Sequence, residues 1–312
     1  VYLTGSMLRD DPFINGTADV DLVIVHNQPV DEIREIIGMT PEVTLDIHHI
    51  EQSYYSPPRK VRKDPWIGSS LCFDPLLLYN KGHWFEFMQA SVEAGFFSPE
   101  YVIYRSGLFL NEARLLFTEL ENQRNLGSSI YISSYLKIIE DGCNAVACLS
   151  GLPLTDRTLM KRFNEVAEAI NREDLSTILY GLILGQNSPF PYYDYFFNSW
   201  KYYLEYFGNS DLAPLKMKAD RIPYYTAPVS YYWNEHLASA LWIMAKTWCS
   251  VAKAYQLDDN EYFVTFCNML EISPMFFAKR KSQLELFLDS IEDAQKNWGD
   301  SQGLDANDLE NL

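Results

Sequence analysis

Near residue 82 the apolar residues of this chain change their period. Ahead of it, short β-branched runs at Val1–Thr4, Val20–His26 and Val43–Ile50 predict strands, with Leu71–Leu78 a fourth. Between the second and third runs, Val30–Gly38 spaces its apolar residues at helical intervals and ends in glycine, which predicts a helix. Beyond residue 82 the spacing is helical throughout. The expected helices are His83–Phe97, Pro99–Glu121, Ser129–Leu149, Asp156–Ile170, Leu175–Leu184, Tyr192–Phe207, Ser230–Tyr255, Asn260–Leu270 and Pro274–Trp298. Thr155-Asp156-Arg157 and Ser273-Pro274 read as helix starts, and Gly185–Pro191 and Asp211–Pro228 as connections. The expected fold is α+β: a small mixed-sheet head over residues 1–82, an all-helical domain over 83–299 and an acidic tail over 300–312.

Charge narrows the partners. The chain carries 42 acidic and 25 basic residues, a formal charge of −17, which opposes nucleic-acid backbones and anionic lipid surfaces. Five scattered cysteines, Cys72, Cys143, Cys148, Cys249 and Cys267, show no paired zinc spacing, so a reducing, cytoplasmic setting is expected. No apolar run is long enough to predict a membrane span. The sequence opens at Val1 inside a strand-like run, so upstream residues are expected.

The residues that carry chemistry cluster in Thr4–His26, TGSMLRDDPFINGTADVDLVIVH. Asp19 and Asp21 stand two apart on a predicted strand, so both carboxylates leave the same face. Two carboxylates about 5 Å apart repel by roughly 3 kcal/mol at an effective dielectric near 20, a cost that a divalent cation turns into binding energy. Hard oxygen ligands suit Mg2+. Asp46, in VTLDIHHI, is a third acid that an adjacent antiparallel strand brings to the same place. Gly5 permits a tight turn and close backbone approach to a phosphate, and Ser6 adds an amide and a hydroxyl donor. Taken singly these features are weak, since Gly-Ser is common and Asp-x-Asp arises by chance in acidic chains.

In combination, Gly5-Ser6, a gap of twelve residues, Asp19-x-Asp21 and a distant Asp46 resemble the DNA polymerase β-like nucleotidyltransferase superfamily. The run GSMLR is similar to the GSxxR form of its small-molecule members, among them the aminoglycoside-modifying enzymes, with Arg9 at the basic position. The motif covers about the first fifty residues, and beyond residue 82 the resemblance is one of architecture. Asp10 stands where the close family form has glycine, and no family-type helix precedes the first strand of this sequence.

The resemblance implies an NTP, ATP first, held by Gly5, Ser6 and Arg9. It implies two Mg2+ ions held by Asp19, Asp21 and Asp46, and attack of an acceptor hydroxyl on the α phosphorus with loss of pyrophosphate. Asp46 would ligand the catalytic ion or take the hydroxyl proton, and Arg9 would steady the leaving group. From residue 83 onward there are 30 acidic and 18 basic residues, which favours a cationic small acceptor such as an aminoglycoside-like compound and disfavours nucleic acid. Two alternatives stand beside this reading. One is modification of a partner protein, as in antitoxin-type nucleotidyltransferases, and the other is a non-catalytic nucleotide-binding module. Long helical segments often pair, so a homodimer is an open expectation.

Other features have weaker claims. His48 shares the face of Asp46 and His49 points away, while Arg59-Lys60-Val61-Arg62-Lys63 reads either as an anion grip or as a solvated loop. Tyr231–His236 offers Glu235 among aromatic residues, which suits a sugar or an amine but more simply reads as helix packing, and Asn111-Glu112 is similar. Arg157, Lys161 and Arg162 read as a solvated helix face.

Overall fold

Five strands make one mixed sheet near the N-terminus, and the elements that follow it are helices. The computed structural model describes residues 1–9, 11–122, 126–184 and 192–304, so Asp10, the connection Gly185–Pro191 and the end of the tail lie outside the described residues. Strands β1 (Tyr2–Thr4), β2 (Ala18–His26), β3 (Arg34–Gly38), β4 (Val43–Glu51) and β5 (Leu76–Leu77) lie in the order β3-β4-β2-β1-β5.

β2 and β4 run parallel, not antiparallel as expected, with Asp21 opposite Asp46 and Asp19 opposite Thr44. Parallel neighbours need a crossover, and the chain makes it through β3, which pairs antiparallel with the outer edge of β4. The helix expected over Val30–Gly38 is thus replaced by a strand over Arg34–Gly38. Ile36 and Ile37 are β-branched and stiff, and β4 offers them an open edge. Ladder hydrogen bonds there outweigh a weak local helical preference.

The strand expected over Leu71–Leu78 also divides. Leu71 and Cys72 close helix α2 (Ile67–Cys72), Asp74 turns the chain at φ 46°, and only Leu76–Leu77 pairs with β1. The basic run is not a loop but helix α1 (Pro58–Lys63), on which Arg59 and Lys60 are exposed. Val61 is buried, and Arg62 donates to the carbonyls of Ser91 (2.6 Å) and Val92 (3.3 Å).

Alternation along β2 puts Asp19, Asp21, Val23 and Val25 on one face. That face is acidic at one end and apolar at the other. Over the apolar end, Tyr2, Val23, Tyr55, Val61 and Leu71 form a core with Phe85, Met88, Val92 and Phe96 of helix α3 (Trp84–Phe96). Burying Val92 and Phe96 contributes about 1.5–3 kcal/mol each.

The remaining helices are α4 (Pro99–Asn122), α5 (Ser128–Ser150), α6 (Leu159–Ala169), α7 (Asp174–Leu184), α8 (Tyr193–Gly208), α9 (Ile222–Glu235), α10 (Leu237–Tyr255), α11 (Glu261–Met269) and α12 (Phe277–Ser301). They enclose a second, larger core containing Trp200, Trp242 and Trp248. The helix expected over Ser230–Tyr255 is two helices that meet at His236. The His236 imidazole accepts at Nδ1 from Ser239 N–H (3.3 Å), which leaves Nε2 to donate to the Tyr180 hydroxyl at 3.1 Å. Part of the expected connection Asp211–Pro228 is helical, because α9 starts at Ile222 with proline in its first turn, where a missing N–H costs nothing.

Glu235, Asn111 and Glu112 are exposed. All five cysteines are free and buried. Among the described residues no helix is long and apolar enough to cross a membrane.

Sheet and helices are joined by arginines. Arg157, expected on a solvated face, is 5% exposed: its Nη2 donates to the Thr17 carbonyl and Oγ1, both at 3.0 Å, and its guanidinium lies 3.8 Å from the Tyr224 ring centroid. The α6 helix begins after it, at Leu159 rather than Asp156. Asn15 adds a bond from Nδ2 to the Ala227 carbonyl at 2.9 Å.

Candidate metal centre

The centre is built where β1 ends beside β2. Thr4 pairs with Asp21, and the chain then leaves the sheet through Gly5 at φ 82°. A Cβ on Gly5 would fall 2.0 Å from Asp21 Oδ2 and 2.8 Å from its Cγ, so glycine alone lets the backbone pass over this carboxylate. Ser6–Leu8 follow as one 3-10 turn, closed by Arg9 N–H on the Ser6 carbonyl at 3.0 Å. Ser6 and Arg9 are half-buried at this corner. Burial, with the charge of Arg162, lowers the pKa of the Arg9 guanidinium, and Glu165 and Asp21 pull the other way. Arg9 is thereby placed within the field of Asp21.

Asp19, Asp21 and Asp46 converge, each offering a carboxylate oxygen within 4.8 Å of the others. The parallel register sets Asp21 directly against Asp46, and the two-residue period adds Asp19 on the same face. Asp19 and Asp46 are buried and Asp21 is half-buried. His48 joins them from the next position on that face, with Nε2 3.5 Å from Asp46 Oδ1, while burial and the nearby Arg34 lower its pKa. His49 lies on the other face, where His26 Nε2 meets its Nδ1 at 2.9 Å and Glu35 Oε1 meets its Nε2 at 2.8 Å.

Two arginines partly offset the acids. Arg34 on β3 grips Asp46 with both nitrogens, Nε to Oδ1 at 2.8 Å and Nη2 to Oδ2 at 2.6 Å. Burial pushes the Asp46 carboxyl up, yet Arg34, with Arg221 and His48, holds it below the usual carboxylate range. Arg221, on the turn before α9, lies 3.5 Å from Asp19 Oδ2 and 3.4 Å from Asp46 Oδ2. Asp21 is left without either. Burial first, then Asp19 and Asp46, push its pKa up to about 8.

Three carboxyl groups face two guanidiniums, and Asp21, the one with no arginine in contact, keeps its proton at neutral pH until a cation takes its place. Asp19 and Asp21 fit a divalent cation: they are hard oxygen donors on one rigid strand, and Asp21 has no arginine in contact. Asp46 stands within the same cluster, but both of its oxygens already accept from Arg34.

Sequence reasoning singled out Gly5, Ser6, Arg9 and the three acids, and the structure gathers them at one corner. It missed Arg34, which lay inside an expected helix, and Arg221, which lay inside an expected connection. The β-branched Ile36-Ile37 could have signalled the strand that carries Arg34; a lone arginine in a proline-containing stretch gives no signal for Arg221.

No protein-family model, curated protein or solved structure matches this chain.

Proposed function

We propose that this protein is a Mg2+-dependent nucleotidyltransferase. It moves a nucleoside monophosphate, AMP first, from an NTP to a hydroxyl of a small cationic acceptor. A P–O bond to the acceptor forms as its hydroxyl gives up a proton to solvent, the α–β anhydride breaks, and pyrophosphate leaves. The observation that carries this reading is the convergence of Asp19, Asp21 and Asp46 within 4.8 Å beneath a glycine whose Cβ would strike Asp21.

Bound at Asp19 and Asp21, Mg2+ supplies charge neutralisation for a triphosphate and its leaving group. The protein supplies the rest. Gly5 lets the backbone run close over the acids, and Ser6 offers its hydroxyl at the same corner. Arg9, in the field of Asp21, is the cation placed to meet a pyrophosphate. Glu165 on α6, largely exposed and within electrostatic reach of Arg9, adds an acidic group for an amine-bearing acceptor.

Asp46 is a poor proton acceptor while Arg34 grips it, since the same contact that lowers its pKa weakens it as a base. In this reading its first duty is to hold Arg34 and order the cluster. That same bidentate grip favours, as a second reading, a nucleotide-binding module that does not transfer.

The test is direct. Protein is incubated with Mg2+, labelled NTPs and a panel of hydroxylated amines, and pyrophosphate and labelled product are followed. Acceptor-dependent release that disappears in Asp19→Asn/Asp21→Asn, with the circular dichroism unchanged, supports transfer. NTP binding with no turnover on any acceptor supports the second reading, and label on a co-purifying polypeptide makes the acceptor a protein.

A further inference from the structure

Arg221 belongs to the helical part of the chain, yet its guanidinium ends inside the acidic cluster of the sheet, 3% exposed. Its contacts there are long. Nη2 to Asp19 Oδ2 is 3.5 Å, and Nη1 to Asp46 Oδ2 and to Thr44 Oγ1 are each 3.4 Å. Charge-assisted bonds ordinarily close to about 2.7–2.9 Å, as the Arg34 pair does. In addition, Arg221 Nε is buried with no hydrogen-bond partner.

The guanidinium has a second berth. It lies 4.0 Å from the Tyr224 ring centroid and 5.9 Å from that of Tyr225, on the helix that follows. An arginine can stack on these rings without any carboxylate. Arg157, by contrast, is fixed to Thr17 by two bonds of 3.0 Å and does not depend on the acids.

We infer that Arg221 is a displaceable internal counter-ion that competes with a divalent cation for Asp19, so that loading the centre releases the turn carrying Arg221 from the sheet. The inference rests on reading Asp19 and Asp21 as metal ligands. Its physical basis is like-charge exclusion: a guanidinium and a divalent ion on the same carboxylate repel at short range, and the loosely held partner yields. The neighbouring residue gives a mechanical link, because Asp220 packs so closely on Gly38 of β3 that a Cβ there would lie 3.2 Å from the Asp220 Cβ. Release of Arg221 therefore shifts the contact between the turn and the edge strand, and metal occupancy is communicated from the head to the start of α9.

The experiment titrates Mn2+ against the whole chain by electron paramagnetic resonance, in wild type, Arg221→Gln, Arg221→Lys and Asp19→Asn/Asp21→Asn. Amide exchange over residues 215–222 is measured with and without Mg2+. Arg221→Gln is expected to bind Mn2+ about tenfold more tightly than wild type, and Arg221→Lys, which keeps the charge, within about threefold of it. Saturating Mg2+ is expected to speed exchange over 215–222 in wild type and to change little in Arg221→Gln, where the turn is already free. Equal or weaker Mn2+ binding by a folded Arg221→Gln overturns the inference. Should that variant not fold, wild-type exchange over 215–222 that Mg2+ leaves unchanged overturns it instead. Failure of wild type and both Arg221 variants to bind Mn2+, or full binding by the double Asn variant, overturns the metal reading itself and this inference with it.

Discussion

A Cβ at residue 5 would stand 2.0 Å from Asp21 Oδ2, and Gly5 holds φ at 82° to keep that space open. The turn and the acid therefore occupy one volume. Gly5→Ala is expected to cost about 1–3 kcal/mol from backbone strain and to lower divalent affinity by moving Asp21. Gly16→Ala is the matched control, since Gly16 also has positive φ (77°) but nothing within 4 Å of the added Cβ. Chemical denaturation of both variants, with a Mn2+ titration, separates strain from collision: only Gly5→Ala should lose metal affinity.

Asp21 makes stability without divalent ions fall as pH rises. An unfolded aspartate titrates near 3.9, and the folded one near 8, so between these values the folded state binds more protons than the unfolded. Stability is greatest below pH 4 as far as this group is concerned, and it declines through the window at no more than about 1.4 kcal/mol per pH unit. Asp21→Asn should flatten that decline and raise the melting temperature at pH 8. Excess Mg2+ should flatten it in wild type, because the ion favours the charged carboxylate. Thermal melts from pH 5 to 8, in chelator and in Mg2+, check both.

Arg34→Ala should be costly because it leaves Asp46, 1% exposed, with its bidentate partner gone. Removing one member of a buried pair costs about 3–5 kcal/mol, and the lower end is expected here because Arg221 remains 3.4 Å away. Arg34→Leu/Asp46→Leu should recover at least half of the loss. Urea denaturation of the single and double variants measures the difference.

The joint between sheet and helices depends on Arg157. Arg157→Ala removes two hydrogen bonds to Thr17 and the stacking on Tyr224, with an expected loss of about 1.5–3 kcal/mol. Because these contacts join the two cores, the melt should broaden or split into two steps, one per core. Differential scanning calorimetry distinguishes this from a uniform shift.

Legibility followed locality. β2 and β4 were plain in the sequence because β-branched runs state their own conformation, and Gly5, Asp19 and Asp21 were legible because their spacing has meaning within one turn and one strand. Strand β3 was not legible: Val30–Gly38 spaces its apolar residues as a helix does, and only the open edge of β4 decides otherwise. The same holds for the direction of β4, which depends on where β3 turns. Arg157 looked like surface because nothing near it in the chain announces Thr17, 140 residues away. Arg221 was hidden for the same reason, its partners Thr44 and Asp46 being 177 and 175 residues distant.

The pairing of Asp21 with Asp46 along a parallel ladder has a lasting consequence. A slip of β4 by a single residue would bring Leu45 or Ile47 opposite Asp21 and turn Asp46 to the far side of the sheet. Folding and chemistry thus share one ruler. A variant that misaligns this ladder by one notch loses the acid trio at a stroke, however well the rest of the molecule assembles.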